Sequence, residues 1–196
     1  ARKKLGATSN TDYGWFAGGS TTPSTAGSIT TLDRIDFSSD TTTAPTRGLL
    51  SQRIESPGST GNRAYGYLIG GYAYEIGAQY GASYTRIVRI DYSNDMAMPT
   101  WRGQIPVADY RLIAISARAN ALPVIGEYFN TIGSELTPLY PTSQYGYWGG
   151  ASTQTWVERM EFYNDDKQTI YKAAFNPKID NGTSATSSQY YGYWYG

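Results

Sequence analysis

The chain contains neither cysteine nor histidine. The first absence excludes disulfides and thiolate metal sites, so redox chemistry assigns no compartment. The second removes the commonest general base, the usual serine triad and the commonest transition-metal ligand. Charge is sparse and balanced: 16% of the 196 residues are charged, 16 basic against 16 acidic. Bulk charge therefore draws the chain to neither nucleic acid nor an anionic membrane. One basic cluster, Arg2-Lys3-Lys4, is expected to be a solvated terminus. No apolar run approaches the ~18–20 residues that a membrane helix requires, and no signal-peptide pattern is visible. Phosphate-cradling and dinucleotide-binding glycine motifs are absent too, and helical periodicity is nearly so.

What is abundant is tyrosine, with 19 residues, and glycine, with 22. With plentiful Ser and Thr, this mixture suits short strands and tight turns. One motif is written three times: Asp33-Arg34-Ile35-Asp36-Phe37-Ser38-Ser39-Asp40, Val88-Arg89-Ile90-Asp91-Tyr92-Ser93-Asn94-Asp95 and Glu158-Arg159-Met160-Glu161-Phe162-Tyr163-Asn164-Asp165. Seven residues after each closing Asp stands a basic residue: Arg47, Arg102 and Lys172. An aromatic-glycine block precedes each copy, at Tyr13–Gly19, Tyr65–Gly71 and Tyr145–Gly150, and a fourth block, Tyr191–Gly196, follows the last. Self-similarity at this period predicts repeated units that bury their apolar faces against one another.

Alternation with period two runs through the repeated motif. Ile35/Phe37, Ile90/Tyr92 and Met160/Phe162 fall on one strand face, and Arg34/Asp36, Arg89/Asp91 and Arg159/Glu161 on the other. The Ser, Asn and Asp residues that close each copy are turn formers, because their side chains bond nearby backbone. The glycine pairs Gly18/Gly19, Gly70/Gly71 and Gly149/Gly150 predict strand ends where the backbone turns through conformations cheap only for glycine. Further strands are expected at Leu5–Ser9, Thr42–Leu50, Arg53–Ser59, Thr100–Ile105, Leu112–Ala117, Thr169–Phe175 and Thr183–Ser187, giving four per unit. Arg34 to Arg89 and Arg47 to Arg102 both span 55 residues, and Arg89 to Arg159 and Arg102 to Lys172 both span 70. Length variation is thus confined to loops. A single repeat domain over 1–196 divides into units 1–50, 51–109 and 110–178, the third carrying a Pro-containing insertion at 122–144, and a closing half unit at 179–196.

An aromatic strand ending in Gly-Gly, a variable loop, a basic-apolar-acidic-aromatic strand, a turn and a fourth strand resemble the kelch repeat, one blade of a β-propeller. The wording is closer still to kelch-like repeats in virion structural proteins of tailed bacteriophages, where YGYFGGG and RIDYSNDTATA run in tandem. Tyr65-Gly66-Tyr67-Leu68-Ile69-Gly70-Gly71 and Arg89-Ile90-Asp91-Tyr92-Ser93-Asn94-Asp95 carry the likeness best. The third copy departs at Met160-Glu161-Phe162, and a tryptophan like that of ordinary kelch blades stands only at Trp101. The resemblance implies an all-β fold of three four-stranded blades and a half. Such a count stays open, closes with another chain, or belongs to a longer polypeptide, because closed propellers use ~4–8 blades. It also implies a non-enzymatic virion protein acting in assembly of tail, fibre or capsid decoration, with other virion proteins or copies of itself as partners and host-surface glycan as a further ligand. Neither nucleic-acid binding nor membrane insertion is expected, and no cofactor.

The candidate residues each have a structural and a functional reading. Arg34/Asp36, Arg89/Asp91 and Arg159/Glu161 serve either a ligand or, as a feature of every unit, the joining of strands or blades by charge-assisted bonds; the second is expected. Trp15, Tyr67, Trp148 and Trp194 are either platforms for sugar rings or core, and core is expected. Tyr72, Tyr74, Tyr80, Tyr84, Tyr128 and Tyr140 lie in predicted loops, where tyrosine offers rigid amphipathic contact area; they are the candidate recognition surface. Asp165-Asp166 and Asp180-Asn181-Gly182 offer hard oxygen ligands but lack EF-hand spacing, so turns are expected and no metal. Glu75, Glu127 and Glu135 are the only candidates for glycoside chemistry, and nothing pairs them. A secreted or surface carbohydrate-binding propeller is the alternative to the virion reading.

Overall fold

A computed structural model of the chain describes residues 1–21, 27–39, 43–73, 81–116, 145–150, 155–176, 184–187 and 191–195. Among these residues there is no α-helix, and the fold is all-β. β1 (Gly6–Ser9), β2 (Tyr13–Ala17), β3 (Thr31–Asp36) and β4 (Thr46–Leu49) form an antiparallel sheet in chain order. In the second sheet β5 (Gly58–Gly61), β6 (Tyr65–Ile69), β8 (Ala82–Asp91) and β9 (Thr100–Asp109) repeat that order, and β7 (Tyr72–Ala73) pairs with the start of β8. β10 (Ile113–Ser116), β11 (Tyr145–Gly149), β12 (Trp156–Glu161) and β13 (Ile170–Ala174) make the third. β14 (Ser184–Ser187) and β15 (Gly192–Tyr195) are a two-stranded sheet in the register of β1 and β2, the inner half of a fourth unit.

The predicted strands appear in order, with edges shifted. The strand expected at Arg53–Ser59 is β5, Gly58–Gly61, and the one expected at Thr42–Leu50 is confined to Thr46–Leu49. The insertion at 122–144 lies outside the described residues. First strands of successive sheets lie side by side, β1 against β5, β5 against β10 and β10 against β14, so the sheets fan out from a shared inner edge.

Alternation decides where the core sits. On β6, Tyr67 and Ile69 face the third sheet while Leu68 faces the first. One core cluster, with Trp15, Leu32, Leu68, Ile90 and Tyr92, fills the space between sheets one and two. The other, with Tyr67, Ile69, Ile87, Trp148, Met160 and Phe162, lies between sheets two and three. The middle sheet is thus buried on both faces, whereas every residue of β13 is exposed.

Local chemistry sets the turns. Asn10 and Asn62 each accept two backbone N–H bonds through Oδ1, closing the first hairpin of their units. Gly18, Gly19, Gly70 and Gly71 have φ of 62°, 93°, 60° and 99°, as the glycine pairs predicted. The third pair is different. Gly149 is the last residue of β11, and only Gly150, at φ 62°, turns the chain. The third glycine pair comes one residue earlier in its block, so Gly149 occupies the strand position of Ala17 and Ile69.

A backbone feature without a sequence signature recurs two residues before β1, β5 and β10. Lys4, Ser56 and Arg111 all hold positive φ, at 58°, 52° and 62°. Ser56 N–H donates to Lys4 O and Arg111 N–H to Ser56 O, both at 2.8 Å, linking unit to unit. The basic opening trio is part of this fabric rather than a solvated terminus. Arg2 pairs with Asp33 at 2.8 Å, and Lys4 Nζ reaches buried Glu55 at 2.9 Å.

Candidate functional site

The chemistry of this chain is concentrated between units. Asp95, the closing residue of the second repeated motif, is only 4% exposed. Its carboxylate accepts from Arg34 Nη1 at 2.9 Å, from Arg47 Nε at 3.1 Å and from the Trp15 indole N–H at 2.9 Å, all in the preceding unit. Asp165, the closing residue of the third motif, repeats the arrangement. It accepts from Arg89 Nη1 at 2.9 Å, Arg102 Nε at 2.8 Å and the Tyr67 hydroxyl at 3.0 Å. A buried carboxylate is costly unless paired and fully hydrogen-bonded, and here two guanidiniums and a neutral donor meet each one.

Register explains why three donors converge. Trp15 stands opposite Arg34 on paired strands, and Tyr67 opposite Arg89. The second Arg comes from the outer strand, at Arg47 of β4 or Arg102 of β9. The following aromatic of the next unit caps the donors: Tyr92 stacks on Trp15 at 4.0 Å, and Phe162 on Tyr67 at 5.2 Å. Each motif Arg also lies over the first tyrosine of its own block, Arg34 over Tyr13, Arg89 over Tyr65 and Arg159 over Tyr145, at 4.1–4.3 Å. Burial, then the neighbouring Asp165, push the Tyr67 hydroxyl well above its ordinary pKa, so it is held as a neutral donor. The bond to Asp165 raises the Arg102 guanidinium in turn.

The basic and acidic residues of a motif therefore do different work. Asp36 and Asp91 do not pair with Arg34 and Arg89. Each accepts the backbone N–H and hydroxyl of the Ser two residues on, at 2.9 and 2.6 Å, and shapes the turn. The Ser38 bonds hold the Asp36 carboxyl below its usual range. The motif Arg reaches into the next unit, as expected of a residue that joins blades. Sequence reasoning took the closing Asp for turn chemistry alone. The signal that could have found it was its constant seven-residue distance from Arg47, Arg102 and Lys172.

The third donor set is Tyr147, opposite Arg159, with Lys172 on β13. Among the described residues no closing Asp reaches it. Arg159 turns instead to Glu161 in its own strand at 3.3 Å, and its Nε is buried without a partner. Here the pair read from the sequence does form, since among the described residues no closing Asp competes for the guanidinium. At the other end Phe37, the counterpart of Tyr92 and Phe162, is 50% exposed. Asp40 lies outside the described residues.

Close approach marks the same interface. A Cβ on Gly48 would stand 2.8 Å from Asp95 O, and one on Gly103 would strike Lys167 O. The third unit has Ala173 at this position.

Of the candidate tyrosines, Tyr74, Tyr80, Tyr128 and Tyr140 lie outside the described residues, as do Glu75, Glu127, Glu135 and Asp180-Asn181-Gly182. Tyr72 and Tyr84 lie on strands β7 and β8 rather than in a loop, because the second unit extends its sheet beyond the glycine pair. Tyr72 tilts against Tyr110 at 5.3 Å, and Arg111 lies over Tyr110 at 5.0 Å. Trp15, Tyr67 and Trp148 are core, at 1% exposure or less, so their rings offer no sugar platform. Asp165 and Asp166 are engaged by arginine, and among the described residues no group of three metal-ligating side chains occurs. No protein-family model matches this chain, and no curated protein sequence matches it.

Proposed function

We propose that this chain is a non-enzymatic structural component of a tailed-bacteriophage particle, acting in assembly of tail, fibre or capsid decoration. The observation that carries this reading is the spending of charge. Arg34, Arg47, Arg89, Arg102, Asp95 and Asp165 are all consumed in holding unit to unit, which gives stiffness and a fixed pitch between blades. The likeness of the repeat to those of virion proteins supplies the setting. Exposed apolar side chains on the outer strands, among them Leu49, Trp101, Val107, Ile170 and Tyr171, suit contacts with other virion proteins or further copies of the chain.

Native mass spectrometry or light scattering tests the reading. A defined oligomer, or one that grows with concentration, is the expected result. A stable monomer that binds glycans would overturn it in favour of a secreted or surface lectin. Tyr72, Tyr110 and Arg111 favour that second reading, since tilted rings beside a guanidinium suit the apolar face and hydroxyls of a sugar. A glycan array with the Tyr72→Ala and Tyr110→Ala variants separates the two.

A further inference from the structure

Residues that recur in every unit serve the repeat, whereas a residue confined to one unit needs another reason. Unit two departs from its neighbours at a point that faces unit one. Three residues before the motif arginines stand Thr31, Arg86 and Trp156. Five residues after the outer-strand arginines Arg47 and Arg102 stand Gln52 and Val107. Arg86 and Gln52 meet in the groove between units one and two, where Arg86 Nη1 donates to Gln52 Oε1. Their counterparts one groove further on, Trp156 and Val107, carry no charge.

Arg86 is set apart by its partners. Arg34, Arg47, Arg89, Arg102 and Arg159 each meet a carboxylate. Arg86 is bonded to a carboxamide instead, and among the described residues it takes part in no ion pair. Its guanidinium lies 4.9 Å from the Trp101 ring centroid and 5.7 Å from that of Tyr84. Trp101 is 58% exposed, yet its ring is fixed, because the indole N–H donates to Gly103 O at 3.2 Å. Beside Arg86 lies a cleft floored by Leu50, Leu68 and Val88, all buried. Its volume of about 10 Å³ is room for one water, so a ligand would lie across the mouth rather than enter.

A half-buried guanidinium that no carboxylate neutralises attracts an anion, and its planar fork matches a carboxylate through two parallel bonds. A fixed, open indole beside it suits the apolar face of a pyranose ring. Ser51 and Gln52, which also line the cleft, carry hydroxyl and carboxamide groups of the kind that bond sugar hydroxyls. We propose that Arg86 and Trp101 form a binding site for an acidic sugar, of the uronic or sialic acid class. The sugar carboxylate would rest on Arg86 and the ring on Trp101. An acidic peptide would answer the guanidinium but give the exposed indole no part. The inference goes beyond the assembly reading and holds whether the chain works singly or assembled.

The test is isothermal titration calorimetry on the full chain with trigalacturonic acid and sialyllactose, each compared with its carboxyl-reduced form. Saturable binding of at least one acidic sugar is expected, weakened roughly tenfold or more by reduction, the scale of a charge-assisted hydrogen bond. Arg86→Gln in the chain should lose as much. Arg86→Lys should lose part, since it keeps the charge without the fork, and Trp101→Ala should weaken binding several-fold. Urea midpoints equal to the parent's are expected for all three variants, because neither residue bonds Asp95 or Asp165. Failure of both acidic sugars to bind overturns the proposal. So does equal binding of the reduced forms, or binding that survives Arg86→Gln. An acetylated Glu-Glu peptide that competes as strongly as the sugar overturns it too, and assigns the groove to a protein partner. A monomeric native mass would sink the assembly reading and leave this one standing.

Discussion

Asp95 and Asp165 each hold together two arginines that would otherwise repel one another. Replacing Asp95 with Asn keeps the shape and removes the charge, leaving Arg34 and Arg47 side by side in a half-buried site. Asp95→Asn should cost about 3–5 kcal/mol, the scale for breaking a buried ion pair from one side, seen as a lower urea midpoint. A second residue tunes stability with pH. Glu158 is 4% exposed, and burial raises its pKa above the ordinary 4.5, although Thr169 and Trp148 donate to it. A raised acid binds protons more tightly folded than unfolded, so its contribution is greatest at low pH and is lost as pH rises past 4.5. Glu158→Gln should accordingly reduce the fall in stability between weakly acidic and neutral pH, measured as denaturation midpoints against pH for both proteins. At this scale the sequence was half legible. The motif arginines were read as joints between strands or blades; Arg34 and Arg89 bridge units, and Arg159 pairs within its own strand. Their acids were not so read, because a constant spacing to the outer-strand base was the one local hint, and nothing local ties an arginine to a partner 61 or 76 residues away.

Among elements, the outer strands carry the sharpest constraint. β4 and β9 pass so close to the next unit's turn that only glycine fits at Gly48 and Gly103. Gly48→Ala and Gly103→Ala should each destabilise by roughly 1–3 kcal/mol, the cost of overpacking against backbone, again by denaturant midpoint. Ala173→Gly should cost under about 1 kcal/mol, since β13 is exposed and loses only backbone stiffness. Strand existence and order were legible apart from β7, since period-two alternation and Asn, Asp and Gly turns are local properties. Strand ends were less so: β8 and β9 run ten residues each because they pair with one another, not because their composition changes. The left-handed residues Lys4, Ser56 and Arg111 were invisible, having no side-chain chemistry in common.

On the scale of the whole molecule the described residues couple each unit to its neighbours, through separate core clusters and separate acid sites. Energy in such an array is a sum of unit and interface contributions. Weakening one interface should therefore loosen one side. In Asp95→Asn, amide exchange is expected to rise first in β1–β4 while β10–β12 keep their protection; in Asp165→Asn the polarity reverses, with β10–β13 exchanging first. Equal loss of protection throughout both variants would show a single cooperative block instead.

By itself the sequence determined the all-β class, the turn chemistry and the residues that recur in every unit. These follow from short-range periodicity, which a strand expresses wherever it finds a partner. Only the tertiary structure decided which acid meets which arginine, that Tyr72 and Tyr84 belong to an extended sheet, and that Arg159 turns back to Glu161 in its own strand. Those outcomes depend on how successive sheets stack. Stacking brings together groups about 50–75 residues apart, and burial there turns a turn-forming Asp into the bolt between blades.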